Sequence, residues 1–91
     1  MFFIGVAMFK AFMEMKYFLI VDDHEVVRKG LKLILSDFYP GATFLETGDG
    51  TETVELLKKF KVELVILDIQ IPNTNSFELL QYIVNVYPET K

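Results

Sequence analysis

The plainest pattern along the chain is a pair of short apolar runs that each end in acid. Tyr17-Phe18-Leu19-Ile20-Val21 leads into Asp22-Asp23, and Val62 to Leu67, broken only by Glu63, leads into Asp68. Runs of this length without polar alternation predict strands covered on both faces, as in a parallel sheet layered between helices. A third run, Ala42 to Thr47, mixes polar residues with apolar ones and predicts an edge strand.

Between the runs the spacing changes to that of a helix. Val27, Leu31, Ile34, Leu35 and Phe38 recur at intervals of three and four, and Tyr39-Pro40-Gly41 stops the pattern. Gly48-Asp49-Gly50 predicts a turn and Thr51 a cap. Val54, Leu57 and Phe60 then form a second stripe, with Lys58, Lys59 and Lys61 near its end, where cations suit the helix dipole. After a loop over residues 71–76, Asn75 and Glu78 match a capping box opening a third helix, with Phe77, Leu80, Ile83, Val84 and Tyr87 as its expected inward face. Alternating strands and helices with short connections imply an α/β layered fold with right-handed crossovers. Pro88 to Lys91 is the kind of segment that leads from a helix into a further strand.

Composition separates the first fifteen residues from the rest. They hold 12 apolar residues and all four methionines. Lys10 and Glu14 interrupt them well short of the roughly 18–20 apolar residues of a membrane span. No positive charge precedes the run, as a secretory signal would need. Two readings stay open: a short helix for a membrane surface or a partner, and an upstream extension that the domain at 16–91 does not need. With 9 basic against 13 acidic residues, the net charge of −4 argues against a basic stripe for nucleic acid. The absence of cysteine excludes disulfides, a thiolate zinc site and a thiol nucleophile, and fits a reducing, cytoplasmic setting.

Asp22, Asp23 and Asp68 carry the candidate chemistry. Ligands of parallel α/β sheets bind beyond the carboxyl ends of the strands, where neighbouring connections leave to opposite faces. If the first and third runs are neighbours, the three carboxylates converge there. Mutual repulsion then calls for a cation, and an oxygen-only donor set favours a hard one such as Mg²⁺. The alternative is that each aspartate merely caps the helix that follows. His24 reads as a loop residue, since nothing in the sequence positions a partner for it.

The stretch Asp22-Asp23-His24-Glu25-Val26-Val27-Arg28-Lys29-Gly30-Leu31, with Leu67-Asp68-Ile69-Gln70-Ile71-Pro72, resembles the receiver domain of bacterial two-component response regulators. The Asp-Asp-His start with Val-Arg-x-Gly-Leu is most similar to the NarL/LuxR-type branch. The resemblance covers residues 16–91 and implies a flavodoxin-like (CheY-like) α/β fold, here βαβαβα with strand order 2-1-3 and incomplete. It implies that Asp68 is the phosphoacceptor for a sensor histidine kinase, and that Asp23 binds Mg²⁺ directly while Asp22 acts mainly through water. The backbone carbonyl of Gln70 would be a further Mg²⁺ ligand, and Pro72 would stiffen the rim. The module is expected to be no free-standing enzyme, to span no membrane and to bind no nucleic acid itself, a DNA-binding domain lying beyond Lys91. An aspartyl-nucleophile phosphatase is disfavoured because such enzymes alternate two aspartates after the first strand, and here they are adjacent.

Two residues depart from the family pattern: Ile71 stands for the usual Met and Ser76 for the usual Gly, a concern if that position needs positive φ. The Ser or Thr ending the family's fourth strand and the Lys ending its fifth would lie beyond Lys91. Order 2-1-3 should leave Val62 to Leu67 on an open apolar edge, so the chain alone is expected to be marginally stable or to self-associate. The other functional class is an interaction fragment that docks a kinase or dimer partner through the helix at 25–37, without phosphorylation.

Overall fold

The computed structural model describes residues 5–7 and 16–91. Strand β1 (Lys16–Val21), helix α1 (Glu25–Phe38), β2 (Ala42–Thr47), α2 (Gly50–Lys59), β3 (Val62–Leu67) and α3 (Ser76–Val86) follow in order. The other residues of the apolar opening segment, and with them both of its readings, lie outside the described set. No described helix is long and apolar enough to cross a membrane.

The strands form one parallel sheet in the order β2-β1-β3. Lys16 pairs with Ala42 through to Val21 with Thr47, and Phe18 pairs with Leu64 through to Val21 with Leu67, after an irregularity at Tyr17. The unbroken apolar run becomes the central strand because both of its faces are covered: Phe18, Leu19, Ile20 and Val21 are all buried. Leu19 and Val21 join Leu57, Val62, Ile71, Leu79 and Ile83 in the main core beneath α2 and α3. On the opposite face Phe18 packs edge-on against Tyr39 and Phe44, where α1 lies.

The edge of β3 is not wholly open. The Lys91 N–H donates to the Glu63 carbonyl at 3.0 Å, and the Val65 N–H donates to the Lys91 carbonyl at 2.8 Å. Thr90 adds a hydroxyl bond to the Val62 carbonyl. The segment after α3 therefore already runs alongside the first half of β3.

Three expectations about the helices need correction. Helix α2 is capped by Asp49, whose carboxylate accepts from the Glu52 N–H at 3.0 Å, and not by Thr51, which lies inside the helix. Gly50 is already helical, which moves the cap back to the nearest oxygen-bearing side chain. Asn75 does cap α3, accepting from the Glu78 N–H. The inward face of α3 is nevertheless Ser76, Leu79 and Ile83, while Phe77 (67% exposed), Leu80 and Val84 face outward. Helix α1 buries no residue completely: Leu31 and Leu35 are half-covered, but Val27, Ile34 and Phe38 of the expected inner stripe are exposed. Both helices carry a wider apolar stripe than one sheet face can cover, so periodicity alone could not select the buried part.

Candidate functional site

The carboxyl end of β1 is tied by backbone to the ends of both β2 and β3. The Asp22 N–H donates to the Thr47 carbonyl at 3.0 Å and the Asp68 N–H to the Val21 carbonyl at 2.9 Å, so each aspartate sits one residue past its strand on a fixed ladder. Each carboxylate then closes a turn on the residue two positions later. Asp22 Oδ1 accepts from the His24 N–H at 2.8 Å, and Asp68 Oδ1 accepts from the Gln70 N–H at 2.9 Å. These are Asx turns, the local bond that aspartate makes most readily. Neither aspartate caps a helix: the N-caps of α1 and α3 are His24 and Asn75. The capping alternative is thereby removed.

The turns gather the charges. One ligating atom from each of Asp22, Asp23, His24 and Asp68 lies within 4.8 Å of all the others. His24 is the member that the sequence did not place. Its Nδ1 is 2.9 Å from Asp22 Oδ1 and 3.1 Å from Asp23 Oδ1, so it does have partners, immediately N-terminal to itself. The readable signal was its place in the Asx turn of Asp22. Burial pushes the Asp22 carboxyl up, but the backbone and side-chain bonds from His24, with Arg28 nearby, bring it below the usual carboxylate range. The same contact with Asp22, reinforced by Asp23, holds the exposed His24 imidazolium to higher pH.

Support comes from residues around the cluster. Arg28 Nη1 donates to the Asp22 carbonyl from α1. Gly48, after β2, leaves room for the loop: a Cβ there would stand 3.1 Å from the Asp23 Cα. Ser76 does not need positive φ, since it opens α3 and the left-handed residue of the loop is Asn73 (φ 59°). Its buried hydroxyl donates instead to the Asp68 carbonyl at 3.1 Å, tying α3 to the end of β3. Gln70 stays beside the cluster through its N–H bond to Asp68, and Ile71 behind it is buried in the core. A cavity of about 580 Å³ opens at the other end of the sheet, between the ends of α2 and α3, and none of the cluster residues lines it.

Sheet order, helices on both faces and acids at the strand ends converge with what known proteins show. The response regulator receiver domain family matches residues 18–91. The chain belongs to that family. Among receiver-containing relatives, it is 34% identical over 73 residues to the fimbriae Z protein of Salmonella typhimurium, covering 80% of this chain and 35% of that protein. It is 32% identical over 72 residues to the transcriptional regulatory protein DegU of Brevibacillus brevis, covering 79% of this chain and 30% of that one. The chain thus spans about a third of these two relatives. The signal receiver domain of an HD domain-containing protein from Pseudomonas fluorescens Pf-5 superposes with a TM-score of 0.74 at 32% identity, over 84% of this chain and 54% of that one. The receiver fold seen there is the one anticipated, three parallel strands in order 2-1-3 being its first part.

Proposed function

We propose that this receiver domain works as a phosphoacceptor in a two-component relay, with Asp68 taking a phosphoryl group from a sensor histidine kinase. The observation that carries the reading is the convergence of Asp22, Asp23 and Asp68 beyond the carboxyl ends of adjacent parallel strands, with α1 and α3 leaving to opposite faces. In the step, a carboxylate oxygen of Asp68 attacks phosphorus in line. The phosphorus–nitrogen bond to the donor imidazole breaks, its electron pair stays on that nitrogen, and an acyl phosphate remains on Asp68. Such transfers depend on positioning and charge neutralisation more than on acid–base chemistry.

The donor set fits a divalent cation: three carboxylates crowded this closely repel one another unless a cation joins them. Asp23 would hold Mg²⁺ directly, Asp22 mainly through water, with Asp68 and the Gln70 carbonyl completing the set; when bound, the metal would supply neutralisation of the charge that builds up during phosphoryl transfer. The chain's own part is to fix Asp68 by its backbone bond to β1, its Asx turn and the Ser76 contact. The module is a substrate of its kinase and not a free-standing enzyme.

Incubation with a small acyl phosphate donor and Mg²⁺ tests this. Acid-labile, base-labile label should appear on the wild-type chain and vanish in Asp68→Asn or on chelation. Equal labelling of both proteins sinks the reading. Labelling should be weaker than in a chain extended through the family's later Ser/Thr and Lys positions.

A second reading has one observation in its favour. Val27, Ile34 and Phe38 expose a line of apolar surface along α1, as a helix that docks a kinase or a second copy would. Partner binding that survives both Asp68→Asn and chelation would favour that reading over phosphotransfer.

A further inference from the structure

We infer that Arg28 is a positioning residue for the acidic site: its guanidinium, aimed from β2 by Glu46 and seated beside Gly48, sets where the Asp22–Asp23 turn presents the Asp23 carboxylate to a divalent cation. The inference rests on the metal-site reading above and concerns how residues outside the cluster hold it in shape.

The guanidinium works at both ends. Its Nη1 donates to the Asp22 carbonyl, and its Nε faces Glu46 Oε1 at 3.4 Å. Both Nε and Oε1 are buried, and neither makes a hydrogen bond among the described residues. Glu46 therefore holds Arg28 by charge, where water cannot take over the pairing. Lys29 and Lys32 approach the other carboxylate oxygen, Oε2, which leaves Oε1 to the guanidinium. A lysine at position 28 has one ammonium and could serve only one end, whereas the rigid planar fork of arginine serves both.

Gly48 supplies the seat. A Cβ there would stand 3.3 Å from Arg28 Nη1, 3.4 Å from the Asp22 carbonyl oxygen and 3.1 Å from the Asp23 Cα. Gly48 does not have a positive φ, so the position requires space and not dihedral freedom. These contacts converge on backbone atoms of two residues whose carboxylates join the cluster. A shift of the guanidinium is passed on to those carboxylates. Mg²⁺ tolerates such a shift poorly, because it demands near-octahedral geometry at short bond lengths.

Two variants keep every formal charge and so separate geometry from electrostatics: Arg28→Lys breaks the fork, and Gly48→Ala fills the seat. Calorimetric titration of the 91-residue protein with Mg²⁺ reads affinity directly, and amide NMR reads the Asp22–His24 turn. Both variants should bind Mg²⁺ about tenfold more weakly, as loss of a group that orients metal ligands does elsewhere. Both should also displace the Asp23 and His24 amide resonances before any metal is added. With a small acyl phosphate donor, the Mg²⁺ concentration for half-maximal labelling of Asp68 should rise in step. Lys29→Ala loosens the same helix from Glu46 without touching the turn, and should leave Mg²⁺ affinity within about twofold at ordinary salt. Mg²⁺ affinity within about twofold of wild type in both Arg28→Lys and Gly48→Ala overturns the inference. So does a loss that simply follows thermal stability across all three variants. If the wild type binds no Mg²⁺ and takes no label, the metal-site reading fails and the inference falls with it. If the wild type binds Mg²⁺ and loses it in Asp23→Asn, while the two charge-conserving variants bind as wild type does, the inference alone falls.

Discussion

The two faces of the sheet are held by different forces, although β1 serves both. Under α2 and α3, Leu19 and Val21 meet Leu57, Val62, Ile71, Leu79 and Ile83 in a closed apolar core. Under α1, Phe18 packs on Phe44 and Tyr39, and the helix is tied down by charge. Glu46 on β2, in register with Ile20 of β1, faces Arg28 Nε at 3.4 Å, Lys29 Nζ at 3.1 Å and Lys32 Nζ at 3.9 Å, all on α1. Burial sets the stability of one face, and a single carboxylate orients the helix of the other. The difference also bears on the site, because α1 carries Arg28, which holds the Asp22 carbonyl, and starts at His24.

Truncating a side chain on each face tests the contrast most severely. Leu57→Ala removes a buried side chain from the closed core and should cost about 2–5 kcal/mol. That is a large part of the about 5–15 kcal/mol that holds a typical domain together. Ile34→Ala, at a position 58% exposed on α1, should stay within about 0.5 kcal/mol. Denaturant melts of the two variants give both numbers. Comparable losses would mean that α1 is covered in solution, and a dependence of the Ile34→Ala effect on protein concentration would identify a second copy as the cover.

The next effect belongs to the charged face and shows itself in pH. Burial pushes the Glu46 carboxyl up, but Lys29, Lys32 and Arg28 bring it below its ordinary value. A carboxyl whose folded pKa is depressed adds stability that is fully present above its unfolded value, about 4.3, and is lost as pH falls through the folded value. Glu46→Gln should therefore flatten the acid limb of the stability profile. At neutral pH it should cost about 1–3 kcal/mol, since the Arg28 guanidinium loses its buried partner. An acid limb identical to wild type would show that α1 does not depend on this carboxylate.

The same contrast explains what the sequence made legible. The strands follow from apolar runs ending in acid, a signal that needs no partner to be read, whereas their order, and with it the convergence of Asp22, Asp23 and Asp68, was implied by the resemblance to receiver domains. Ile83 was legible on the inner face of α3, but Ser76 and Leu79 were hidden because Phe77, Leu80 and Val84 offer an equally regular stripe. Which stripe is buried depends on the surface that meets it, and helical periodicity carries no information about that. The Glu46 cluster was invisible for a similar reason, since its charges are 14 to 18 residues apart in sequence and meet only through the β1–β2 register. His24 lies in the loop as read, but its partners were not legible because they precede it by one and two residues, in a turn that sequence spacing does not distinguish from a plain loop.

The smallest effect separates the members of the Glu46 cluster. Lys32 reaches Oε2 at 3.9 Å from a side chain that is half-exposed, whereas Lys29 makes a hydrogen bond to the same oxygen at 3.1 Å. Water screens a pair at the longer distance, and fixing a lysine side chain offsets most of the attraction that remains. Lys32→Ala should change stability by less than about 0.5 kcal/mol, and Lys29→Ala by somewhat more, with the gap between them closing as salt is raised. Melts at low and high ionic strength measure that gap directly. If Lys32→Ala is the costlier of the two, the lysine stem is covering the apolar side of α1, and packing as well as charge holds this face.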